Sequence, residues 1–355
     1  MVARIAFLGW CLSAEGMAQT ASSNAASSFA ADCAEKKFMG AVLVRHHGKA
    51  VFEAACGFAN AEWEIPNTVD TKFRAASIAK QFTAAAVLLL QQDGKLSVEK
   101  TIGAFIDGLP PEWQSATIHQ LLTHTSGVPN NTGPPIRQLD RMSATPRELL
   151  EAVKGKPLQF AHGTKLAYNN TGYILLGMLI EKVSGRSYPE FVHRRVFAPA
   201  LMNDSGFDEA RRVLQRRADG YNLIGDNLEN AEQVDATVPW SAGGFYSTVG
   251  DLVAWATAIR SGRLLNEVST AQMFRIYPET LFHGMHYGYG IVIAERFGNR
   301  LFYHGGGISG FSSVLQIYPD KELVIAVMSN LDSGASRIQS WTVADHLAET
   351  FLKKN

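Results

Sequence analysis

The chain has 355 residues, 46% of them hydrophobic, enough to bury a large core as one big domain or two lobes. Lys+Arg and Asp+Glu balance at 33 each, so nothing in the charge suits a nucleic-acid partner or an acidic membrane surface. The longest apolar runs, such as that from Ala84 to Leu90, fall far short of the roughly 20 residues that a membrane-spanning helix needs.

Taken in order, the chain opens with Arg4 before a short apolar run, Ile5 to Leu12, and then Gly16-Met17-Ala18. That pattern reads as an export signal over residues 1–18, and the Ala/Ser-rich residues 19–33 read as a linker, so a periplasmic or secreted location is expected. Of the three cysteines, Cys11 would leave with the signal. Cys33 and Cys56 could then pair in an oxidising compartment, a point the sequence leaves open.

Two runs with strand character, 37–45 and 49–56, flank the turn His46-His47-Gly48 and predict a hairpin. From Ser77 to Gln92 there is neither Gly nor Pro, and the Ala/Leu/Gln-rich composition predicts a helix buried on most sides that stops at Asp93-Gly94. From Lys95 to about Met273 helices and loops are expected: helices over 117–123, 145–154, 172–183, 188–196 and 251–261, with long connections over 128–139 and 219–239. Strand character returns over 289–294, 301–304, 311–318 and 322–329, followed by an amphipathic helix over 336–352.

Strands at both ends of the chain imply one antiparallel sheet built from both termini and flanked by helices, an α/β fold. The expected lobes are 34–92 with 275–355 as the α/β lobe, and 93–274 as an all-helical lobe inserted between them. The Ser77 helix would sit at their junction, a common place for a pocket.

Ser77 and Lys80 lie three residues apart on that helix and so share a face. Burial and the positive end of the helix dipole both disfavour an ammonium there, and a neutral amine could take the proton of a serine that is otherwise a weak nucleophile. Ser-x-x-Lys alone is a weak signal, because Ser97-Val-Glu-Lys100 matches it too; that pair stands in a polar stretch after Asp93-Gly94 and reads as solvated surface. Two further clusters are polar in ways a core would not choose. Tyr168-Asn169-Asn170 precedes an apolar helix, either as its cap or pointing into a cleft. Tyr303-His304-Gly305-Gly306-Gly307 ends a strand, where the glycines form either a loose turn or a backbone that a substrate can approach closely, with N–H groups free for an oxyanion.

Together these residues resemble the serine β-lactamase and penicillin-binding-protein superfamily, in the branch with class C β-lactamases, D-Ala-D-Ala carboxypeptidases, D-aminopeptidases and β-lactamase-like esterases. The three motifs stand in the family's order as Ser77-Ile-Ala-Lys80, Tyr168-Asn-Asn170 and His304-Gly-Gly306. The blocks Ile118-His-Gln-Leu-Leu-Thr-His-Thr-Ser-Gly127, Gly172-Tyr-Ile-Leu-Leu-Gly177, Ala242-Gly-Gly-Phe-Tyr-Ser-Thr248 and Gly307-Ile-Ser-Gly-Phe311 extend the resemblance over roughly 37–352. It implies a β-lactamase/transpeptidase-like fold and no cofactor. Ser77 would be the acylated nucleophile, and Lys80 and Tyr168 would share acid–base work in an order the sequence leaves open. Asn170 would hold the substrate amide or the Lys80 amine, and Gly306 would line the substrate. The N–H groups of Ser77 and Gly307 would form the oxyanion hole. His304 would orient Tyr168 or meet a substrate carboxylate. The implied substrates are small esters, amides or β-lactams, or peptidoglycan-like D-amino-acid peptides.

His304 stands where potent class C β-lactamases carry Lys, and no class A-type glutamate motif is found, which argues against efficient β-lactam turnover. An α/β-hydrolase would want Gly-x-Ser-x-Gly, which is absent. A metal hydrolase would have to use His119/His124 or His283/His286, and neither pair has a third carboxylate or cysteine ligand nearby in the sequence. A penicillin-binding protein that acylates without turnover is the remaining alternative.

Overall fold

The computed structural model describes residues 8–34, 38–131, 142–277, 280, 283–332 and 339–353. A seven-stranded antiparallel sheet is built from both ends of the chain. Strands β1 (Gly40–His46) and β2 (Lys49–Cys56) come from the first part. Strands β3 (His286–Tyr287), β4 (Val292–Arg296), β5 (Asn299–Ile308), β6 (Phe311–Tyr318) and β7 (Leu323–Ser329) come from the last. The order is β3-β4-β5-β6-β7-β1-β2, with Gly40 opposite Ser329 and His46 opposite Leu323. Strand β4 begins three residues later than expected, because Gly290, at φ +70°, bends the backbone just before it.

The period of two along the strands sorts side chains into two apolar layers. Val42, Val44, Ile325 and Val327 face helices α1 (Leu8–Ala34) and α5 (Gln339–Leu352). Ala41, Ala326 and Met328 face the other way, into the large core that holds helices α2 (Ala79–Gln92), α3 (Asn170–Ser184) and α4 (Val249–Arg260). In α2 every residue from Ala79 to Leu90 is buried, as expected of a helix apolar nearly all round. It ends at Asp93, with Gly94 left-handed at φ +71°. Helix α3 starts where Asn169 Oδ1 accepts the Gly172 N–H, and ends at left-handed Gly185.

Three expectations are corrected. The stretch 19–33, expected to be a linker, lies within α1; Ala25 and Phe29 are buried against the sheet and α5, and apolar contact holds as helix what composition alone made look loose. The middle of the chain is not wholly helical: a hairpin, Tyr221–Ile224 with Asn227–Asn230, pairs in parallel with Leu331–Asp332. Helix α4, expected in the helical lobe, instead packs on β1 and β7, because an apolar sheet face needs a cover on each side. Residues 1–7, most of the connection 128–139 and the start of the last helix at 336–338 lie outside the described residues.

A disulfide joins Cys33 of α1 to Cys56 at the end of β2, across a separation of 23 residues. Closing a loop of that size stabilises a fold by about 3 kcal/mol through the entropy removed from the unfolded chain. Cys56→Ser should therefore lower unfolding stability by about that amount in denaturant titrations without reductant. An unchanged midpoint would mean that the bond does not form in solution.

Candidate active site

Ser77 sits in the middle of a short 3₁₀ turn, Ala76–Ile78, that feeds directly into α2. The residue before it, Ala76, has φ +46°, a left-handed conformation that an alanine adopts only when its surroundings impose it. Strand β5 supplies one constraint. A Cβ on Gly306 would lie 2.3 Å from the Ala75 carbonyl oxygen and 3.0 Å from the Ser77 nitrogen, so only glycine lets strand and turn approach this closely. Ser313, opposite Gly306 in the sheet, donates its hydroxyl to the same Ala75 carbonyl at 2.9 Å. The glycines are therefore part of the strand, which runs on to Ile308; they are not a loose turn.

Lys80 is fully buried, with Nζ 3.3 Å from Ser77 Oγ. It donates to the Ala242 carbonyl at 2.8 Å, and among the described residues no carboxylate pairs with it. Burial alone pushes its pKa well below the ordinary lysine value, in the direction of the neutral amine. The Ala242 carbonyl reaches this depth because the turn Trp240–Gly243 packs against Gly177 of α3, where a Cβ would lie 2.4 Å from Ser241 Oγ.

Tyr168 lies just ahead of α3, with its ring centroid 4.8 Å from Lys80 Nζ. Crowding by protein raises the pKa of its phenol, and a hydrogen bond with Ser77 works the other way. The side chain is 41% exposed, and water on that side screens the shift, but the direction keeps the phenol protonated. Asn169, not Asn170, caps the helix. Asn170 Oδ1 is buried without a hydrogen-bond partner among the described residues, and the Asn170 N–H donates to Asn130 Oδ1 at 2.9 Å.

His304 departs from expectation. Its Nδ1–H donates to the Gly305 carbonyl at 2.6 Å, which leaves Nε2 to accept the Tyr287 hydroxyl at 2.8 Å. It makes no hydrogen bond to Tyr168; their rings stand 6.2 Å apart. The ring is only 4% exposed with both nitrogens engaged, so neither awaits a carboxylate. Burial, reinforced by the nearby Lys80, lowers its pKa to about 3, well below the free imidazole value that the sequence alone would assign.

Ser77, Lys80, Tyr168 and Gly306 thus meet at one point, and His304 stands one residue behind them. The second Ser-x-x-Lys pair lies apart, with Lys100 exposed and Ser97 Oγ accepting the Glu99 N–H. Two residues of the site were not singled out from the sequence. Tyr287 belongs to no motif, and His124 stands in the sequence only within the block 118–127 and as a metal-ligand candidate, with no part in the chemistry. His124 is buried with its ring 4.4 Å from Tyr168 and 4.5 Å from Tyr287, and among the described residues no group of His, Cys, Asp and Glu is arranged to hold a metal.

An antiparallel sheet joined to a helical region, with Ser-x-x-Lys at the head of a buried helix where they meet, defines a β-lactamase/transpeptidase-like protein. The chain belongs to the Beta-lactamase family, whose model matches residues 28–349. It is similar to penicillin-binding protein 4* of Bacillus subtilis (strain 168), at 28% identity over 88% of this chain and 72% of that one. Among solved structures, a penicillin binding protein from Bacillus halodurans superposes with a TM-score of 0.76 at 30% identity, over 87% of this chain and 96% of that chain. The D-amino acid amidase from Ochrobactrum anthropi SV3 superposes with a TM-score of 0.79 at 26% identity, over 90% and 95%. The resemblance read from the motifs holds at the level of the family, which places the chain among serine hydrolases.

The depressed pKa of His304 has a consequence for stability. Above pH 6.5 the imidazole is neutral whether the chain is folded or not. Below it the unfolded chain takes up a proton that the folded chain refuses until about pH 3. Stability should therefore fall as pH is lowered from 6.5, by about 1.4 kcal/mol per pH unit from this group. Urea midpoints measured from pH 7 to 5 should fall less steeply for His304→Gln. Parallel losses in both proteins would show that His304 is not held neutral.

Proposed function

We propose that the chain is a serine hydrolase that acts on small esters and on D-amino-acid amides or peptides through an acyl-serine, with Ser77 as nucleophile. The observation that carries this reading is a buried lysine without a counter-ion, 3.3 Å from a serine hydroxyl. A lysine in that position is a base, and it needs no further group to become one.

In this reading Ser77 Oγ attacks the substrate carbonyl and gives its proton to Lys80 Nζ. The depressed pKa of the amine and the raised pKa of the phenol both favour Lys80, and not a Tyr168 phenolate, as the first base. The oxyanion is met by the N–H groups of Ser77 and Gly307. Tyr168 then hands its phenolic proton to the leaving group and is reprotonated from Lys80; a water molecule retraces the path to free the acid. Asn170, with its buried unpartnered Oδ1, would accept from the substrate amide. Strand β4 pairs with β5 only as far as Tyr303, and an extended acyl chain would add as a strand along the rest of that edge, beside Gly305 and Gly307.

The neutral His304 bears on the choice of substrate. A lysine there would present a cation to the carboxylate of a β-lactam, and an imidazole bonded at both nitrogens presents none. The D-amino acid amidase among the similar structures supports amides over β-lactams. The Cys33–Cys56 bond supports the expected export to an oxidising compartment.

A turnover panel with a nitrophenyl ester, a D-alanine anilide, a D-Ala-D-Ala peptide and a chromogenic cephalosporin tests this directly. Ester or D-amino-acid substrates should turn over and the cephalosporin only feebly. A phosphonate probe should add one adduct, at Ser77, and Ser77→Ala should take none. Fast cephalosporin hydrolysis would overturn the substrate assignment, and an adduct on Ser97 or Ser126 the nucleophile. Tyr168→Phe should slow ester acylation by about 10²–10⁴ without loss of fold, the usual worth of acid–base assistance. Near-normal turnover would remove Tyr168 from the chemistry.

A further inference from the structure

His124 lies outside the steps just described, and the contacts around it give it a task. The segment that carries Tyr168 runs along the stretch from His124 to Asn130 and is tied to it at several points. The Ala167 N–H donates to the His124 carbonyl at 3.0 Å, and the Asn169 N–H donates to His124 Nδ1 at 3.1 Å. The residues on either side of Tyr168 are thus both held by one histidine, through its backbone on one side and its ring on the other. The ring itself lies 4.4 Å from the ring of Tyr168. Asn130 completes the clamp by donating to the Tyr168 carbonyl at 3.2 Å.

We propose that His124 is a positioning residue for the reaction at Ser77: it fixes the hydroxyl of Tyr168 by accepting the Asn169 N–H, and it can do so only as the neutral ring protonated at Nε2. The inference rests on the role given to Tyr168 above and deepens it.

Three observations support the proposal. His124 has φ +60°, so the chain accepts a left-handed backbone at a side-chain-bearing position to bring this ring inward. The ring is 1% exposed, and its Nε2 is buried with no hydrogen-bond acceptor among the described residues, so there Nδ1 makes the one hydrogen bond of the ring. A proton on Nδ1 would set N–H against N–H and release Asn169. The balance around the ring runs toward the neutral form: burial comes first, then the Lys80 amine and His304, and together they outweigh a backbone hydrogen bond with Asn169 that works the other way, so the pKa lies well below the usual histidine value. The neighbouring rings of Tyr168, Tyr173 and Tyr287, at 4.4, 5.1 and 4.5 Å, bring no negative charge, because burial raises the pKa of each phenol.

The test separates acceptor from volume. His124→Asn carries an oxygen near the place of Nδ1 and suits a left-handed backbone. His124→Phe keeps the ring and loses the acceptor, and His124→Ala loses both. Pre-steady-state acylation by a nitrophenyl ester should fall about 10–100-fold in the Phe and Ala proteins with KM little changed, as expected when a reacting group is displaced by an ångström or less. The Asn protein should recover most of that loss, although it fills the site less well than Phe and should melt no higher. A packing role predicts the opposite order, with activity following melting temperature and Phe above Asn. If Phe does not fold, the comparison of Asn with Ala decides: Asn equal to or below Ala overturns the proposal. Ser77→Ala is run alongside. If it acylates as fast as the parent, the reading of the site has failed; if it is inert and Phe acylates normally, only the role of His124 has failed.

Discussion

The site depends on the cost of burying a positive charge. Lys80 is enclosed on all sides and has no ion-pair partner among the described residues, so burial pushes its pKa well below the ordinary lysine value. Most buried lysines are matched by a carboxylate. Here an Ala242 carbonyl takes one N–H, the faces of Tyr168 and Tyr173 lie 4.8 and 5.4 Å away, and no carboxylate among the described residues pairs with the amine. The same constraint extends outward. His124 and His304 lie in the same pocket, and burial first, then the nearness of Lys80, lowers the pKa of each.

The fold meets this requirement by close approach and local strain. Strand β5 abuts the Ser77 turn through Gly306, and the Trp240–Gly243 turn abuts α3 through Gly177. Left-handed backbone at Ala76, His124 and Trp240 falls on the three segments that bring in the serine, the clamp on Tyr168 and the Ala242 carbonyl. Each such position costs about 1–3 kcal/mol, which the large surrounding core offsets.

What could be read from the sequence was mostly what is local in it. Ser77 and Lys80 meet because i and i+3 share a helix face, and the burial of α2 followed from its composition. The strands at both ends of the chain predicted the sheet. The two hydrogen bonds that define His304 could not be read so readily: Tyr287 lies seventeen residues before it, at the far side of an irregular bend, and no periodicity links them. The bond from Asn169 to His124 spans forty-five residues and depends on a φ value that no residue pattern announces. The helix over the expected linker was missed for a different reason. Ala and Ser suit both a loose chain and a helix, and contacts with β2 and α5 decide between them.

The pairing of β1 with β7 has a consequence for how the molecule comes into being. Gly40 pairs with Ser329 and His46 with Leu323, so the β1–β2 hairpin lacks its neighbour in the sheet until a strand some 280 residues further along has been made. Until then β1 presents an unsatisfied edge rich in valine, the kind of surface that recruits other unfinished chains.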